Sequence, residues 1–512
     1  MTRRTPPLTF DPTREELAGV VQGLLDAGWR LALVAGHEDA AGAGASGDFR
    51  IVYAFLRPGG PGGLGERAEI TLRIPAGDAW FPSLAGLSYP CGRFEREVRD
   101  LFGIPVRDHP QPYRLTRHHN WPPQYYPMRA DADPSPVFDA HVAFPFVEVE
   151  GDGVYEIPVG PIHAGLIEPG HFRFTVVGET ILQLRFRLWF MHRGIEKLFE
   201  GRSVEDGIAL AERISGDTAV GHGLAYAMAV EDASGIVVEE RSRVIRALLL
   251  ELERLYNHVS DLGAIANDVG YGIAKAHCDA LKEDLLRHNK RVTGHRLLRG
   301  GVVVGGAQLL ALPDVTLVAE VARRADEVAL VALEHPIVAN RFADQAIVTA
   351  ASASEFSTLG YVARASGLTT DARADHPFVD LGSSLEVVTE TAGDVRARFE
   401  VRRREMAVSA RLVADLTARL ADLTPSDRSL SLSKGPDAAQ EASAGLGIVE
   451  GWRGTIVHRV ELDAAGTVSR VKVVDPSFFN WPAIGPALTD TIVPDFPLAN
   501  KSFNQSYAGN DL

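Results

Sequence analysis

The stretch EERSRVIRALLLELERLYNHVSDLGAIANDV, Glu239 to Val269, constrains the fold more than any other part of the chain. Val244, Leu248, Leu255, Val259 and Leu262 recur at three-, four- and seven-residue steps, which places them on one face of an α-helix and predicts a core face. GETILQLRFRLWFMHRGIEKLFEG, from Gly178, reads as a second long helix. Helices are therefore expected to dominate this part of the chain.

Upstream the pattern differs. REELAGVVQGLLDAGWRLALVAG reads as an amphipathic helix followed by a strand, and DFRIVYAFLR and RAEITLRIP alternate as strands do. RFEREVRDLFGI returns to helical spacing, with Phe94, Val98, Leu101 and Phe102 on one side. Two segments, GAGASG from Gly42 and GPGGLG from Gly60, match GxGxxG in letters. Each precedes a strand pattern instead of opening a helix, so neither offers the helix N-terminus that holds a pyrophosphate, and both are read as loops. The Pro-, Asp- and Ala-rich run from Met128 to Gly153 marks a boundary. The expected organisation is an α+β N-terminal domain over 1–130, a linker over 131–153, and a mainly α-helical domain with small β elements over 154–512. Late in the chain, LTPSDRSLSLSKGPDAAQEASAG is a polar loop region, and GTIVHRVELDAAGTVSRVKVVDPS is a strand hairpin around a Gly turn.

A chain of 512 residues is long enough for two or more cores. Its formal charge of −15 makes it a poor partner for nucleic acid. It has no run of about 18 apolar residues, so no membrane-spanning segment is expected. MTRRTPPLTF lacks an apolar segment behind its arginines, so no signal peptide is expected. Cys91 and Cys278 are too few for an iron–sulfur cluster, which takes four thiolates. They are expected as free thiols, with a disulfide as the alternative.

In the first domain, YPCGRFEREVRDLFGIPVRDHPQPYRL resembles the signature of the C subunit of respiratory complex I. The matching core is Glu95-Arg96-Glu97, Asp100, Phe102-Gly103-Ile104, His109-Pro110 and Arg114. The resemblance implies a scaffold that docks against neighbouring subunits. The second domain resembles the D subunit of complex I and, more closely, the large subunit of group-four [NiFe]-hydrogenases of the formate hydrogenlyase type. The ordered segments GPIHAGLIEPGHFRF, HRGIEKL, LAERISGDTAVGHGLAYAMAVE, ELERLYNHVSDLG, LLRGGVVVGG, ARASGLTTDAR and VVDPSFFNWP carry it over nearly the whole chain.

The hydrogenase members of that family hold nickel and iron on four thiolates in R-I-C-G-x-C and D-P-C-x-x-C motifs. The corresponding positions here are Ser215, Thr218, Ser477 and Asn480. Hydroxyls and an amide are hard, weak ligands and do not replace soft thiolates, so no nickel centre and no metal is expected. Many hydrogenase large subunits end shortly after the second motif, whereas here VPDFPLANKSFNQSYAGNDL follows, with no metal-dependent processing signal expected. The resemblance implies quinone binding through a histidine matched by His163 and a tyrosine whose position falls on Gly216. Arg193 matches an arginine near the terminal iron–sulfur cluster of the partner subunit, where a cation raises the cluster's potential. The alternative is a helix-surface arginine paired with Glu196 or another acid. His192 is read as a packed histidine. Glu168 and His171 in EPGH resemble a proton-shuttling Glu-Gly-His segment, with Pro169 inserted. Asp217 is either a buried acid titrating near neutral pH or a side-chain cap of the next helix. Glu168, His163 and His171 are its expected proton partners.

Two functions follow from the resemblance. The first is a peripheral subunit on the cytoplasmic face of a membrane-bound, complex-I-like oxidoreductase, binding no cofactor by itself. Its partners would be a small iron–sulfur subunit together with antiporter-like and quinone-module membrane subunits. The second is a redox-silent structural or coupling subunit of such a complex.

Overall fold

A computed structural model describes residues 6–39, 47–59, 65–139, 141–142, 144–146, 149–165, 167–423 and 442–512. Most of each Gly-rich segment and most of the polar region from Leu423 lie outside these residues.

The N-terminal part is a four-stranded sheet ordered Leu8–Phe10, Glu66–Ile74, Phe49–Arg57, Arg30–Glu38. The short first strand runs parallel to its neighbour and the rest are antiparallel. Helix Leu17–Asp26 buries Leu17, Val21 and Leu24. Helix Tyr89–Phe102 buries the expected Phe94, Val98, Leu101 and Phe102. Its charged face is also buried, through Arg93, Glu95, Glu97 and Asp100. Burial of these groups requires partners. Glu95 accepts from Ser83 Oγ and the Leu84 amide at 2.7 and 2.6 Å, and Asp100 accepts the amides of Leu115 and Thr116 at 2.7 and 2.9 Å. Glu97 takes Lys472 Nζ at 2.7 Å. Glu95 and Asp100 are thus satisfied within the first domain, while Glu97 meets the second domain of the same chain.

An antiparallel meander follows: Val154–Val159, His171–Val177 and Thr180–Arg187. Residues 180–187 correct the expected helix from Gly178. Val177 pairs with Thr180, so Gly178-Glu179 is a two-residue hairpin loop, with Gly178 at φ +59°. Helix returns only at Ile195–Phe199.

Helix Glu240–Asn267 forms as its periodicity predicts and buries all five expected face residues. It packs against helices Gly272–Thr293 and Val395–Asp422, and Val315–Glu334 completes the group. The late hairpin forms as expected, within a three-stranded sheet of Ser443–Gly451, Gly454–Leu462 and Val468–Val474. One face of that sheet lies on helix Ala219–Ser234. The approach is so close that a Cβ on Gly447 would sit 1.8 Å from the Ala225 carbonyl oxygen. The other face meets the N-terminal sheet through Arg459–Glu69 at 3.2 Å and Arg50–Glu461 at 3.1 Å.

In the boundary region, the described residues from Val137 to Glu150 are irregular and mostly exposed, with Phe144 and Phe146 partly buried. Phe146 lies under the Arg173 guanidinium at 4.1 Å and 4.9 Å from the His171 ring. Cys91 and Cys278 are buried free thiols in separate parts of the fold, and burial pushes the Cys278 thiol up to about 12. Among the described residues no helix is long and apolar enough to cross a membrane.

Candidate functional site

Of the four positions that the resemblance matches to metal ligands, Ser215, Ser477 and Asn480 are tied together by a third segment, and Thr218 closes the turn that begins at Ser215. Ser215 and Thr218 bracket a turn, closed by the Thr218 amide on the Ser215 carbonyl at 3.1 Å, just before helix 219–234. Ser477 and Asn480 lie on the short helix Pro476–Asn480, capped by Asp475, whose Oδ1 accepts the Ser477 amide at 2.8 Å. Residues 504–506 run between the two. Ser506 Oγ is 2.9 Å from Ser215 Oγ, and the Ser506 amide donates to Ser477 Oγ at 2.9 Å. Asn480 Nδ2 donates to Gln505 Oε1 at 3.1 Å, while its Oδ1 accepts the Leu359 amide at 2.8 Å. Ser215, Thr218, Ser477, Asn480, Gln505 and Ser506 are all buried.

Asp217 sits at the edge of this knot with its side chain 39% exposed. Arg453, from the tight turn between strands 443–451 and 454–462, binds it bidentately, both contacts at 2.7 Å. Ser215 Oγ and Thr218 Oγ1 add hydrogen bonds at 3.0 and 3.1 Å. Burial raises the Asp217 carboxyl, but the Arg453 guanidinium and these hydroxyls outweigh it and hold it at about 2. Asp217 is therefore an ionised anchor for Arg453, not an acid titrating near neutral pH. It does not cap helix 219–234 either. The first free amides of that helix, Val220 and Gly221, donate to the buried Glu253 at 2.7 and 2.9 Å.

Glu168, His163 and His171 do not bond to Asp217. His163 and Glu168 sit on the loop between strands 154–159 and 171–177, and His171 opens the second of these strands. His163 Nε2 is 2.7 Å from the Gly170 carbonyl, and His171 Nδ1 is 3.1 Å from the Gly160 carbonyl. Glu168 accepts the Ala508 amide at 3.0 Å. A Cβ on Gly170 would meet the Tyr507 ring at 2.5 Å. The EPGH loop thus reaches the knot indirectly, by packing on residues 507–508. Gly216, where the resemblance implies a tyrosine, is exposed.

Arg193 is exposed and donates to the carbonyls of Arg213 and Ile214, at 3.1 and 2.6 Å, directly before Ser215. The expected pairing with Glu196 does not form. Glu196 is buried with Arg470 and Lys472, at 2.8 and 3.0 Å. His192 packs against the Asp511 carbonyl at 2.7 Å.

Sequence reasoning missed several members of the site. Arg453, Gln505 and Ser506 lie outside any recognised motif. Behind Ser477 stands a fully buried row: Asp475 Oδ2 to His222 Nε2 at 3.0 Å, and His222 Nδ1 to His458 Nε2 at 3.0 Å. Asp475 and His222 fall inside the segments VVDPSFFNWP and AVGHGLAY, so their signal was present. The donor set does not suit a nickel–iron centre. It has no sulfur, and the Ser506 hydroxyl and Gln505 amide hold the positions between the would-be ligands. Among the described residues, no group of three or more His, Cys, Asp or Glu is arranged to hold a metal ion.

Three family descriptions match successive parts of the chain. The 30 Kd subunit of respiratory-chain NADH dehydrogenase matches residues 11–136, nickel-dependent hydrogenase matches 193–262, and the 49 Kd subunit of the NADH dehydrogenase matches 268–444. Formate hydrogenlyase subunit 5 of Escherichia coli (strain K12) is 31% identical over 87% of this chain and 80% of its own length. The chain belongs to the family of fused complex I C/D-type and group-four hydrogenase-related large subunits. Hydrogenase-4 component G of the same organism is 30% identical over 91% of this chain and 81% of its own. The C/D-type NADH-quinone oxidoreductase subunit of Phocaeicola vulgatus is 28% identical over 70% and 73%. The fold is shared with a chain of the membrane-bound sulfane sulfur reductase, an archaeal respiratory membrane complex. The TM-score is 0.64 and the identity 24%, over 70% of this chain and 99% of that one.

Proposed function

We propose that the chain is a peripheral subunit, at the cytoplasmic face of the cell membrane, of a complex-I-like oxidoreductase that works without a nickel–iron centre. One observation carries this reading: Gln505 and Ser506 hydrogen-bond to Ser215, Ser477 and Asn480, three of the four ligand positions, so the region is a closed polar knot. An iron–sulfur partner subunit seats on the face that bears Arg193 and the Asp217–Arg453 pair. Arg193 braces the turn before Ser215, so a cation and an ion pair lie side by side at that surface. A cluster on that partner would supply electrons for quinone or another acceptor near residues 160–171, where Glu168, His163 and His171 lie. Antiporter-like membrane subunits couple the transfer to ion movement. The chain itself holds no cofactor tightly.

A redox-silent coupling role is the second reading. The observation favouring it is that the imidazoles of His163 and His171 are tied to loop carbonyls and the Asp217 carboxylate to Arg453, which leaves few free proton carriers.

The test is isolation of the native complex with nickel and iron assayed per copy of this chain. Glu168→Gln, which keeps the acceptor for the Ala508 amide, is then assembled into it. Iron without stoichiometric nickel is expected, and turnover should fall at least about a hundredfold with assembly intact, the low end for lost acid–base help. One nickel per chain overturns the proposal. Unchanged turnover in an intact, nickel-free complex replaces it with the second reading.

A further inference from the structure

Deep in the helical domain lies a second set of ionisable groups that the site does not use. Helix 240–267 contributes Glu251, Arg254 and His258, and helix 395–422 contributes Glu405. Arg364, Asp371 and Arg373 come from the chain between those helices, and Glu450 from the end of strand 443–451. None is more than 6% exposed. Arg364 is the hub, at 2.7 Å from Glu405, 2.9 Å from Glu450 and 3.4 Å from Asp371. Arg373 joins Asp371 at 2.7 Å to Glu251 at 3.3 Å. Arg254 lies 3.3 Å from Glu251 and 3.8 Å from Glu405, and His258 Nε2 is 3.0 Å from Glu405.

Four carboxylates face three guanidiniums, so one negative charge is left over in a site closed to water. The surrounding charges do not supply the missing cation. Arg402 is matched by Asp261 at 2.9 Å, and Arg30, which acts on Glu450, acts on Asp375 as well. An uncompensated buried ion costs several kcal/mol, and a proton removes that cost.

We propose that this cluster binds one proton, carried by Glu450. The other holders fit worse, Asp371 among them, since burial raises it but Arg373 and Arg364 bring it net downward. His258 Nδ1 has no hydrogen-bond partner among the described residues, so a proton there would bury an N–H without an acceptor. Burial raises Glu405, but Arg364 and His258 outweigh it and keep this carboxyl well below its ordinary range. Burial raises Glu251 too, and Arg373 and Arg254 bring it net downward. Glu450 is pushed upward by burial and by Asp371, against Arg364. Its Oε2 meets Thr455 Oγ1 at 2.9 Å, and a hydroxyl rotates to accept from the acid or donate to the carboxylate.

The location ties the proton to the site. Arg254 donates to the Glu450 and Gly451 carbonyls at 2.8 and 3.2 Å, and the next two residues are Trp452 and Arg453. Trp452 Nε1 donates to the Asp217 carbonyl at 3.0 Å, and Arg453 binds the Asp217 carboxylate. A few residues of one hairpin thus join the proton-bearing cluster to the Asp217 edge. The proton site belongs to the core of the chain and does not depend on the redox reading above.

The test is an infrared difference spectrum at neutral pH between the full-length wild-type chain and Glu450→Gln. Loss of one carboxylic-acid carbonyl band that shifts in heavy water is expected. Thr455→Val removes a hydrogen bond from that acid without touching a charge, so the same band should move in frequency. The second variant decides alone if Glu450→Gln fails to fold. A Thr455→Val spectrum with no shifted acid band, or a folded Glu450→Gln chain that keeps every acid band, overturns the proposal.

Discussion

Lys472→Met removes the cation placed between the two domains' buried acids. Lys472 is 4% exposed, 2.7 Å from Glu97 of the first domain and 3.0 Å from Glu196 of the second. Glu196 keeps Arg470 and the Val473 amide, at 2.8 and 3.1 Å. Glu97 loses its only ion-pair partner among the described residues, and its other oxygen already lacks a hydrogen bond there. Removing one member of a buried pair costs about 3–5 kcal/mol. At about 1.4 kcal/mol per decade, that is roughly a hundredfold to several-thousandfold increase in opening of the interface. Amide hydrogen exchange of helix 89–102 reads this opening directly. The sign with pH follows from Glu97. Its carboxyl is already raised, chiefly by burial, with Lys472 opposing, and loss of Lys472 raises it further. A group raised in the folded state disfavours folding once the unfolded chain ionises, so the penalty is largest at neutral pH. It shrinks as pH falls toward the ordinary glutamate value of about 4.3. Protection in Lys472→Met within about threefold of wild type at neutral pH, or a deficit that grows on acidification, would refute this account of the interface.

Asp217→Asn should lower the melting temperature by an amount constant from about pH 8 to pH 5. A carboxyl held at about 2 contributes stability above the unfolded aspartate value of about 3.9 and loses it only below that range. A gap that changes between pH 8 and 5 would show that Asp217 titrates near neutrality. Restoring cysteine at Ser215, Thr218, Ser477 and Asn480 together should not yield a stoichiometric nickel site, because residues 504–506 still occupy the space. Metal analysis of the purified quadruple variant checks this.

Helix 240–267 was legible because Val244, Leu248, Leu255, Val259 and Leu262 keep helical spacing for about five turns, although the helix is buried on its other sides as well. Strand 180–187 was misread because Ile181, Leu184 and Leu188 also recur at three and four residues. The decisive signal was the two-residue Gly178-Glu179 loop, a local cue that a window tuned to periodicity passes over. The ligand positions were legible through motif spacing. What now joins them was not. Ser506 lies 26 residues beyond Asn480, and hydroxyl–hydroxyl contacts impose no spacing on a sequence. Arg453 stands in a turn between Gly451 and Gly454, where nothing local separates it from a solvated arginine. Only the folded chain brings it to Asp217.

The four positions that the resemblance matches to thiolates do not carry apolar side chains. Ser215, Ser477, Asn480, Gln505 and Ser506 form a buried polar set in which the named groups find partners, and such a set demands mutual geometry that an apolar core does not. An apolar replacement would have been simpler to pack, and it would have left Thr218, Asp217 and Arg453 without the neighbours that orient them. The polar knot instead fixes the turn that carries Asp217, and Arg453 ties that turn to the hairpin whose other end is Glu450. The polar knot thus connects the protein's partly exposed ion pair to a charged cluster in its core. A chain that served only as scaffold would need neither end of that connection to be ionisable.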